Sequence, residues 1–162
     1  MLRNLLFVLA AAAAVHAAGD SPLDRATLRG IQAVNVVVDP LDPQIESAGV
    51  TRADLRERAE TLLRAAGIVI DTSRPEFVGV RLTAARGGRG PFAEFAVAMT
   101  LAFYQPVQLV RDPNVRTATQ TWEIGTVILA APKVLHQASQ DSIEDLTGRF
   151  IKAYRSVNAS AK

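Results

Sequence analysis

The chain has 162 residues, of which 49% are hydrophobic and 21% are charged, and its net charge is +2. So small a net charge excludes the broad basic surface with which proteins bind the phosphates of nucleic acids. Cysteine is absent, which excludes disulfides, thiolate metal sites and a lipid-modified cysteine. The length suits one domain with a single core, and no sequence motif indicates a cofactor.

Residues 1–17 have the pattern of a signal peptide. A basic start at Arg3 precedes an apolar run, and Val15 and Ala17 are the small residues expected before cleavage at Ala18. The apolar run is too short for a membrane span, which needs about 20 residues. The sequence therefore predicts an exported protein, periplasmic or secreted, with no membrane span in the mature chain; an uncleaved anchor is the alternative.

The residues that follow predict a short N-terminal tether and then one domain. Residues 18–30 carry turn formers without a regular period, which is typical of an N-terminal tether. The domain is predicted over residues 31–158, and a tail follows at 159–162. The domain begins with a strand at 31–38, rich in β-branched residues, whose apolar side is every second residue from Val34.

A helix is predicted from Thr51 to Ala66, with Thr51 as its N-terminal cap and Asp54 at capping-box spacing. Gly67 ends this helix, and a short strand follows at residues 68–70. Strand, helix and strand in this order indicate a βαβ-like opening, without deciding whether the two strands are neighbours. The buried side of the helix is predicted to contain Leu55, Ala59, Leu62, Leu63 and Ala66.

The longest alternating run in the chain lies at residues 93–111. Large apolar side chains stand at nearly every second position from Phe95 to Leu109, with small or polar residues between them. This period of two predicts a strand with one heavily buried face. At about 3.3 Å per residue the run would span roughly 60 Å, so the strand should bend or divide, and Pro106 is predicted to mark a bulge or an edge.

The upstream half of this long strand is predicted to pair with residues 77–85. The loop at residues 86–91 would close a hairpin that sets Leu82 opposite Phe95, with the bulky side chains of both strands on one face.

The downstream half is predicted to form a second hairpin. A type I turn at residues 112–115 would set Ile124 opposite Phe103, with Trp122 diagonal to Phe103.

A second helix is predicted near the C-terminus. Apolar residues recur at helical spacing from Ile143 to Val157, and Ser139 or Asp141 would cap the start of the helix. Pro132 would begin an earlier helical segment. The predicted fold class is therefore α+β: a single domain with a curved, mostly antiparallel sheet, the element order β-α-β-β-β-β-α, and two helices packed on one face.

Five segments carry a resemblance to known proteins: LRGIQAVNVVV at 28–38, LLRAAGIVI at 62–70, QPVQLVR at 105–111, TW at 121–122 and FIKAYRSVN at 150–158. Together they resemble a family of small exported bacterial proteins of unknown function. The resemblance covers most of the chain after the signal peptide, and it implies no activity, cofactor or catalytic residue. More remotely, the element order is similar to that of small α+β domains in envelope accessory proteins, which is a likeness of fold.

His136 is the one histidine outside the predicted signal peptide, and as a catalytic base it would need a partner. On a helix, Ser139 could contact His136, whereas Asp141 would point away. The nucleophile-elbow motif of serine hydrolases and the two-histidine motif of zinc proteases are both absent. A polar residue on a helix face is the favoured interpretation, and no catalytic residue is assigned.

Two loops carry charges that could hold a ligand. Asp39, Asp42 and Glu46 could offer oxygens to a hard cation, but their spacing does not match an EF-hand loop, and Asp-Pro pairs are ordinary turn formers. Arg86 and Arg89 lie in a glycine-rich loop and could contact an anion, such as a lipid headgroup or a surface polysaccharide. Because that loop does not open a helix, a flexible hairpin is favoured, and no metal site is assigned.

The other face of the long strand points most directly to a function. Its side chains are small, where a strand that faces water usually carries longer polar ones. Either the chain's own helix or N-terminal segment covers this face, or a partner subunit or ligand does; we expect it to mediate assembly. Its residues are Ala96, Ala98, Thr100, Ala102 and Tyr104.

The favoured function is a non-catalytic binding or assembly module of the cell envelope, whose partner is another envelope protein or a second copy and not a nucleic acid. The alternative is a small hydrolase or a carbohydrate-acting enzyme. It requires two carboxylates to converge within about 5–9.5 Å in a pocket. The candidates are Asp71, Glu76, Glu94 and Glu123.

Overall fold

The computed structural model of this chain describes residues 19–88 and 94–158. The predicted signal peptide, Arg89 and the predicted tail at 159–162 lie outside the described residues. In chain order the elements are α1 (Pro22–Ala26), β1 (Ala33–Val38), α2 (Pro43–Ser47), α3 (Arg52–Ala65), β2 (Val69–Ile70), β3 (Phe77–Gly87), β4 (Glu94–Leu109), β5 (Asp112–Ala130), a 3₁₀ turn (Pro132–Val134) and α4 (Leu135–Asn158).

The strands form one five-stranded sheet in the order β2-β1-β3-β4-β5. β1 is parallel to its neighbours β2 and β3, whereas β3, β4 and β5 form two long antiparallel hairpins. The sheet is therefore mixed, and its longest pairings are antiparallel. This arrangement confirms the predicted α+β class, and it shows that the first two strands of the βαβ-like opening are neighbours.

The segment at residues 18–30 is not the predicted tether in its described part. Ser21 and Asp24 exchange side-chain-to-backbone hydrogen bonds, and this capping box begins α1. Leu28 is fully buried in the core, and Asp20 accepts a hydrogen bond from Trp122 Nε1 at 2.8 Å. A helix of five residues is too short to show a period in the sequence, so its packing was not predicted.

Helix α3 begins and ends where the sequence predicted. The hydroxyl of Thr51 accepts a hydrogen bond from the backbone N–H of Asp54 at 3.1 Å. Gly67 follows the helix with φ of +85°, in the left-handed region that glycine adopts most easily. On the buried side, Leu63 is fully buried and Leu62 only partly so, because the centre of the stripe is rotated slightly from the predicted one.

Strand β4 runs through Pro106 without dividing. β3 begins at Phe77, opposite Tyr104, so the later residues of β4 pair with β5 alone. Pro106 therefore lies at an edge, as predicted, where a residue without an N–H is tolerated. Of the two predicted alternatives, a bend or a division, the strand does not divide, and irregularities in the pairing occur after Phe103 and after Gln108.

Both hairpins keep the predicted faces but change the predicted partners. Leu82 lies opposite Met99 instead of Phe95, and Trp122 instead of Ile124 lies opposite Phe103. Because these displacements are four and two residues, the side chains of β3 and those of β5 from Trp122 to Ala130 stay on their predicted side of the sheet. The irregularity after Phe103 displaces residues 116–120 of β5 by three, so these residues change sides.

The turns explain the change of register. β3 continues to Gly87, so the first loop begins later than predicted. The second hairpin turns at residues 110–111, so Asp112 is the first residue of β5 and the predicted type I turn at 112–115 does not form.

Helix α4 begins earlier than predicted. The 3₁₀ turn that starts at Pro132 leads directly into it, as the predicted earlier segment suggested. Ser139 and Asp141 lie inside α4, so neither caps it. The predicted break between the two helical segments is absent because the covered apolar side begins at Leu135, which is fully buried.

The core lies between the helices and one face of the sheet, which we call the covered face. Phe150 of α4 packs on Phe103 and Trp122, with ring centroids 6.1 and 5.3 Å apart. Helices α2, α3 and α4 all contribute buried side chains to this one core. The β4 side chains of the covered face are Phe95, Val97, Met99, Leu101 and Phe103, and all of them are buried.

Candidate interaction surface

The opposite side of the sheet, which we call the open face, has no helix of the described residues packed on it. The core takes side chains from the covered face and from three helices, but from none of the predicted partner-face residues of β4. Within the described residues, the chain's own helices therefore do not cover this face. The open face consists of Ala96, Ala98, Thr100, Ala102 and Tyr104 of β4, with Gly79, Arg81, Thr83 and Ala85 of β3 and Gly125, Val127 and Leu129 of β5.

Two rows of small and apolar side chains cross one end of the open face. In the first row Ala85, Ala96 and Leu129 are neighbours, and in the second Ala98 and Val127 are neighbours. Val127 is 69% exposed and Leu129 is 75% exposed. We call these five residues the apolar patch. Burial of a Val or Leu side chain is worth about 1.5–3 kcal/mol, so a partner seated here would gain from covering it.

The other end of the open face is aromatic. The rings of Phe77 and Tyr104 stack at 4.8 Å, and the Tyr104 hydroxyl donates to Gln120 Oε1 at 3.2 Å. The Tyr104 ring lies across Gly79, where an added Cβ would come within 2.9 Å of Tyr104 Cε2. This packing also explains why Ala102, between Tyr104 and the centre of the face, is only 4% exposed.

A small cavity of about 160 Å³ lies beside this aromatic end. Its polar wall is the ion pair between Arg81 Nε and Asp39 Oδ2 at 2.8 Å. Ligand pockets usually enclose about 300–1,000 Å³, so this cavity is too small for a typical cofactor or substrate.

A wider groove of about 720 Å³ separates α3 from β2. Along it, the Glu60 carboxylate accepts hydrogen bonds from Arg56 at 2.8 Å and from Arg64 at 2.7 Å. Burial alone would raise the pKa of Glu60, but these two guanidinium groups lower it overall. A carboxylate held in its charged form by two arginines is not a general acid. The ion pairs along this groove therefore stabilise helix α3.

His136 lies in the first turn of α4, and its Nε2 is 3.7 Å from Asp54 Oδ2 of α3. Ser139 is fully buried on the core side of α4, so it does not serve His136 as a nucleophile. Asp141 accepts a hydrogen bond from Gln137 at 2.8 Å on the same helix. The partner of His136 is therefore a residue of another helix, which the sequence reasoning did not consider.

The four carboxylates of the enzyme alternative occupy separate places in the fold. Asp71 lines the groove beside β2, and Glu94 lines a depression next to Arg86. Hydrogen bonds from the Ser73 hydroxyl and backbone lower the pKa of Asp71. Glu76 lies near Arg74 before β3, and Glu123 lies on β5. Asp71 and Glu94 therefore line separate cavities, and the geometry gives this alternative no support.

Two of the three acidic residues considered for a cation have another role, and the third is exposed. Asp39 pairs with Arg81, Asp42 accepts the Gln44 N–H at the start of α2, and Glu46 is exposed on that helix. Across residues 19–88 and 94–158, no three His, Cys, Asp or Glu residues come together as metal ligands would.

Of the two arginines considered for an anion, Arg86 ends β3 and its guanidinium lies 5.8 Å from the centre of the Phe95 ring. Arg89 lies outside the described residues. The clamp that the sequence suggested is therefore not tested, and the contact with Phe95 gives Arg86 a packing role.

Sequence reasoning missed the part that β5 plays in the open face. Gly125, Val127 and Leu129 alternate with Ile124, Thr126 and Ile128 in the sequence, and a strand with this alternation places the two sets on opposite faces. Their exposure depends on which elements cover the sheet, and that is a property of the assembled fold.

No family model matches the chain, and no curated protein matches it. Two crystal structures of the PelC dodecamer from Paraburkholderia phytofirmans are similar to this chain, and each match covers 71% of it. The first has 17% identity, covers 82% of its own chain and gives a TM-score of 0.42. The second has 14% identity, covers 84% of its own chain and gives a TM-score of 0.43. A minor lipoprotein from Acinetobacter baumannii is similar at 13% identity over 75% of this chain and 92% of its own, with a TM-score of 0.34. We draw no functional conclusion from similarities at this level.

Among the described residues, no helix is both long enough and apolar enough to cross a membrane.

Proposed function

We propose that this protein is an exported, non-catalytic module of the cell envelope that works by presenting the open face of its sheet to a partner macromolecule. The observation that carries the proposal is the apolar patch on a sheet face that the described helices leave uncovered. A sheet face that is meant for water carries longer polar side chains, and this one carries alanines flanked by Val127 and Leu129.

The surroundings of the patch resemble the plan of a protein interface. Exposed charged residues, among them Arg81, Arg86 and Glu94, border the small apolar side chains. An apolar centre with a polar rim is the usual anatomy of surfaces that bind other macromolecules. The cavity beside the aromatic end, about 160 Å³, is smaller than most ligand pockets, which favours a broad partner over a small ligand at that end of the face.

The ionisable groups support a binding role over a catalytic one. The described carboxylates with displaced pKa values are Asp20, Glu60 and Asp71, and all three pKa values are lowered by hydrogen bonds from neighbouring groups. A catalytic acid needs a raised pKa, which enzymes obtain by burying a carboxyl group without such partners.

The signal-peptide pattern supports export, and membership of a family of small exported bacterial proteins of unknown function stays a prediction. Expression of the tagged full chain in a bacterial host, followed by fractionation, tests both export and cleavage. We expect the mature protein outside the cytoplasm, with Ala18 as its first residue. An uncleaved chain in the cytoplasm would remove export from the proposal.

A photo-crosslinking amino acid placed on the open face tests the binding role. At Val127 we expect covalent adducts with a defined partner in intact cells. The matched control is Val69, which is 58% exposed on β2 at the far edge of the sheet and should give none. Equal labelling from both positions, or none from Val127, would contradict the proposal.

A further inference from the structure

The two edges of the sheet are protected to different degrees. An edge strand presents unpaired N–H and C=O groups, and proteins usually shield such edges with short strands, charges or prolines. At one edge, β2 is only two residues long. At the other, β5 has 19 residues, and from Ile124 to Ala130 it contains neither a charge nor a proline. This seven-residue stretch, which we call the free edge, lacks the usual protection.

The direction of the backbone groups on the free edge follows from one hydrogen bond. Glu123 donates its N–H to the carbonyl oxygen of Gly19 at 3.2 Å, on the side of β5 away from β4. Backbone groups alternate sides along a strand, and the β4–β5 pairing is regular throughout this region. Gly125, Val127 and Leu129 therefore also point their N–H and C=O groups outward. No backbone group of the described residues outside the β4–β5 ladder bonds to them.

We propose that a second copy of this chain pairs with the free edge, antiparallel and about a twofold axis at Val127. This register sets Val127 against its own copy and Gly125 against Leu129 on both sides of the axis. All three outward-pointing residues of each copy then exchange N–H and C=O bonds, six in total by the geometry of antiparallel pairs. No other register pairs these three residues entirely among themselves.

The side chains are self-complementary in this register. The exposed Leu129 of one copy lies opposite Gly125 of the other, which has no side chain to oppose it. No charge faces a like charge along the paired stretch, because the free edge is uncharged. Asp141 and Asp145 of α4 border Thr126 and Ile128 on the covered side, and they are already engaged by Gln137 at 2.8 Å and Arg149 at 3.8 Å.

The free edge also has the right length for its own copy. The contact of Gly19 with Glu123 closes one end, and Pro132 turns the chain away after the other. A second free edge of seven residues fits between these limits. The result is a continuous ten-stranded sheet in which Val127 and Leu129 of both copies meet, so the two apolar patches become one larger surface. This inference names a partner that the proposed function leaves open, and it rests on the backbone of β5, not on the envelope role.

Sedimentation equilibrium of the purified protein over a concentration series is the first test. We expect a reversible dimer. Val127→Pro removes one outward N–H per copy and should weaken dimerisation about ten- to a hundredfold, since two edge hydrogen bonds are lost. Leu129→Lys, which places a charge on the edge without changing the backbone, should do the same. Val69→Lys on β2 is the matched control and should dimerise as the unaltered chain does. A monomer at every concentration overturns the inference.

Amide hydrogen exchange distinguishes edge pairing from packing of two open faces. In the edge-paired dimer, the amides of Gly125, Val127 and Leu129 become protected as the concentration rises, whereas those of Ile124, Thr126 and Ile128, which face β4, are protected at all concentrations. A dimer in which the first three amides still exchange fast overturns edge pairing. Crosslinking from Val127 to a different protein would still support the proposed function in that case, so the two failures are distinguishable.

Discussion

The two faces of strand β4 differ in everything except their backbone. On the covered face, Phe95 to Phe103 present large side chains that are almost entirely buried. On the open face, the residues between them are mostly alanine, and the largest neighbouring side chains, Val127 and Leu129, are exposed. The contrast teaches that small side chains in a strand can have either of two roles. They can fill tight spaces in a core, or they can form a flat surface outside it. Here they do not fill the core, because α2, α3 and α4 pack on the other face.

The largest expected effect on stability is the difference between alanine substitutions at two adjacent residues of β4. Phe103→Ala should lower the free energy of unfolding by about 3–5 kcal/mol, because it empties a site between Trp122 and Phe150. Tyr104→Ala on the open face should cost about 1 kcal/mol, mainly the stacking with Phe77. Urea denaturation of both variants measures the difference. Equal losses would mean that the two faces are equally packed.

The next effect tests how tightly the aromatic end of the open face is built. Gly79→Ala should destabilise the protein by about 1–3 kcal/mol, since the new Cβ would lie 2.9 Å from Tyr104 Cε2 and the ring must move. Gly87→Ala, at the end of the same strand, has no atom within 4 Å of its new Cβ and is the matched control. Addition of Tyr104→Ala to Gly79→Ala should remove most of the difference between the two alanine variants. A Gly79→Ala variant as stable as the control would show that Tyr104 does not press on Gly79.

A smaller effect concerns the rim of the covered face, where Asp20 joins α1 to Trp122. Hydrogen bonds from Arg25 lower the pKa of Asp20 against the opposing effect of burial, and the bond from Trp122 lowers it further. A lowered folded-state pKa means that the ionised form stabilises the fold above the ordinary carboxyl pKa of 3.8, and that this contribution is lost as the pH falls through the lower folded value. Asp20→Asn should therefore cost about 1–2 kcal/mol near neutral pH and progressively less below pH 4.

Thermal or urea unfolding across the acid range measures this convergence. Asp145→Asn is the control, because Asp145 is 64% exposed and its arginine partner is 3.8 Å away, so little stability should change at neutral pH. If Asp20→Asn and the unaltered protein differed by the same amount at pH 3 and pH 7, the ionised carboxylate would not be what holds α1 in place.

The smallest effect is expected at the apolar patch itself. Leu129→Lys should change the unfolding free energy of the monomer by no more than about 0.5 kcal/mol, because a side chain that is 75% exposed has little packing to lose. The same substitution should abolish partner crosslinking from a probe at Val127. Denaturation below the concentration of self-association gives the first quantity. A large loss of stability would place Leu129 in the core and contradict the comparison of the two faces.

The sequence predicted local elements well where their signals lie close together in the chain. The cap of α3 at Thr51, its end at Gly67 and the alternation of β4 depend on neighbouring residues, and the structure confirms them. The membership of Ala96, Ala98, Thr100, Ala102 and Tyr104 in one face was predicted for the same reason. The added part of that surface on β5, and the partner of His136 on α3, depend on residues distant in the chain and were not predicted.

The sequence by itself determined which side of each strand is bulky, because a period of two survives any register shift by an even number of residues. It did not determine the register, since the hydrophobic pattern is equally satisfied by displacements of two or four residues and the turn geometry chooses among them. Only the tertiary structure decided that α2, α3 and α4 gather on one face and leave the other open. Burial depends on what the rest of the chain covers, and no local pattern of residues encodes that.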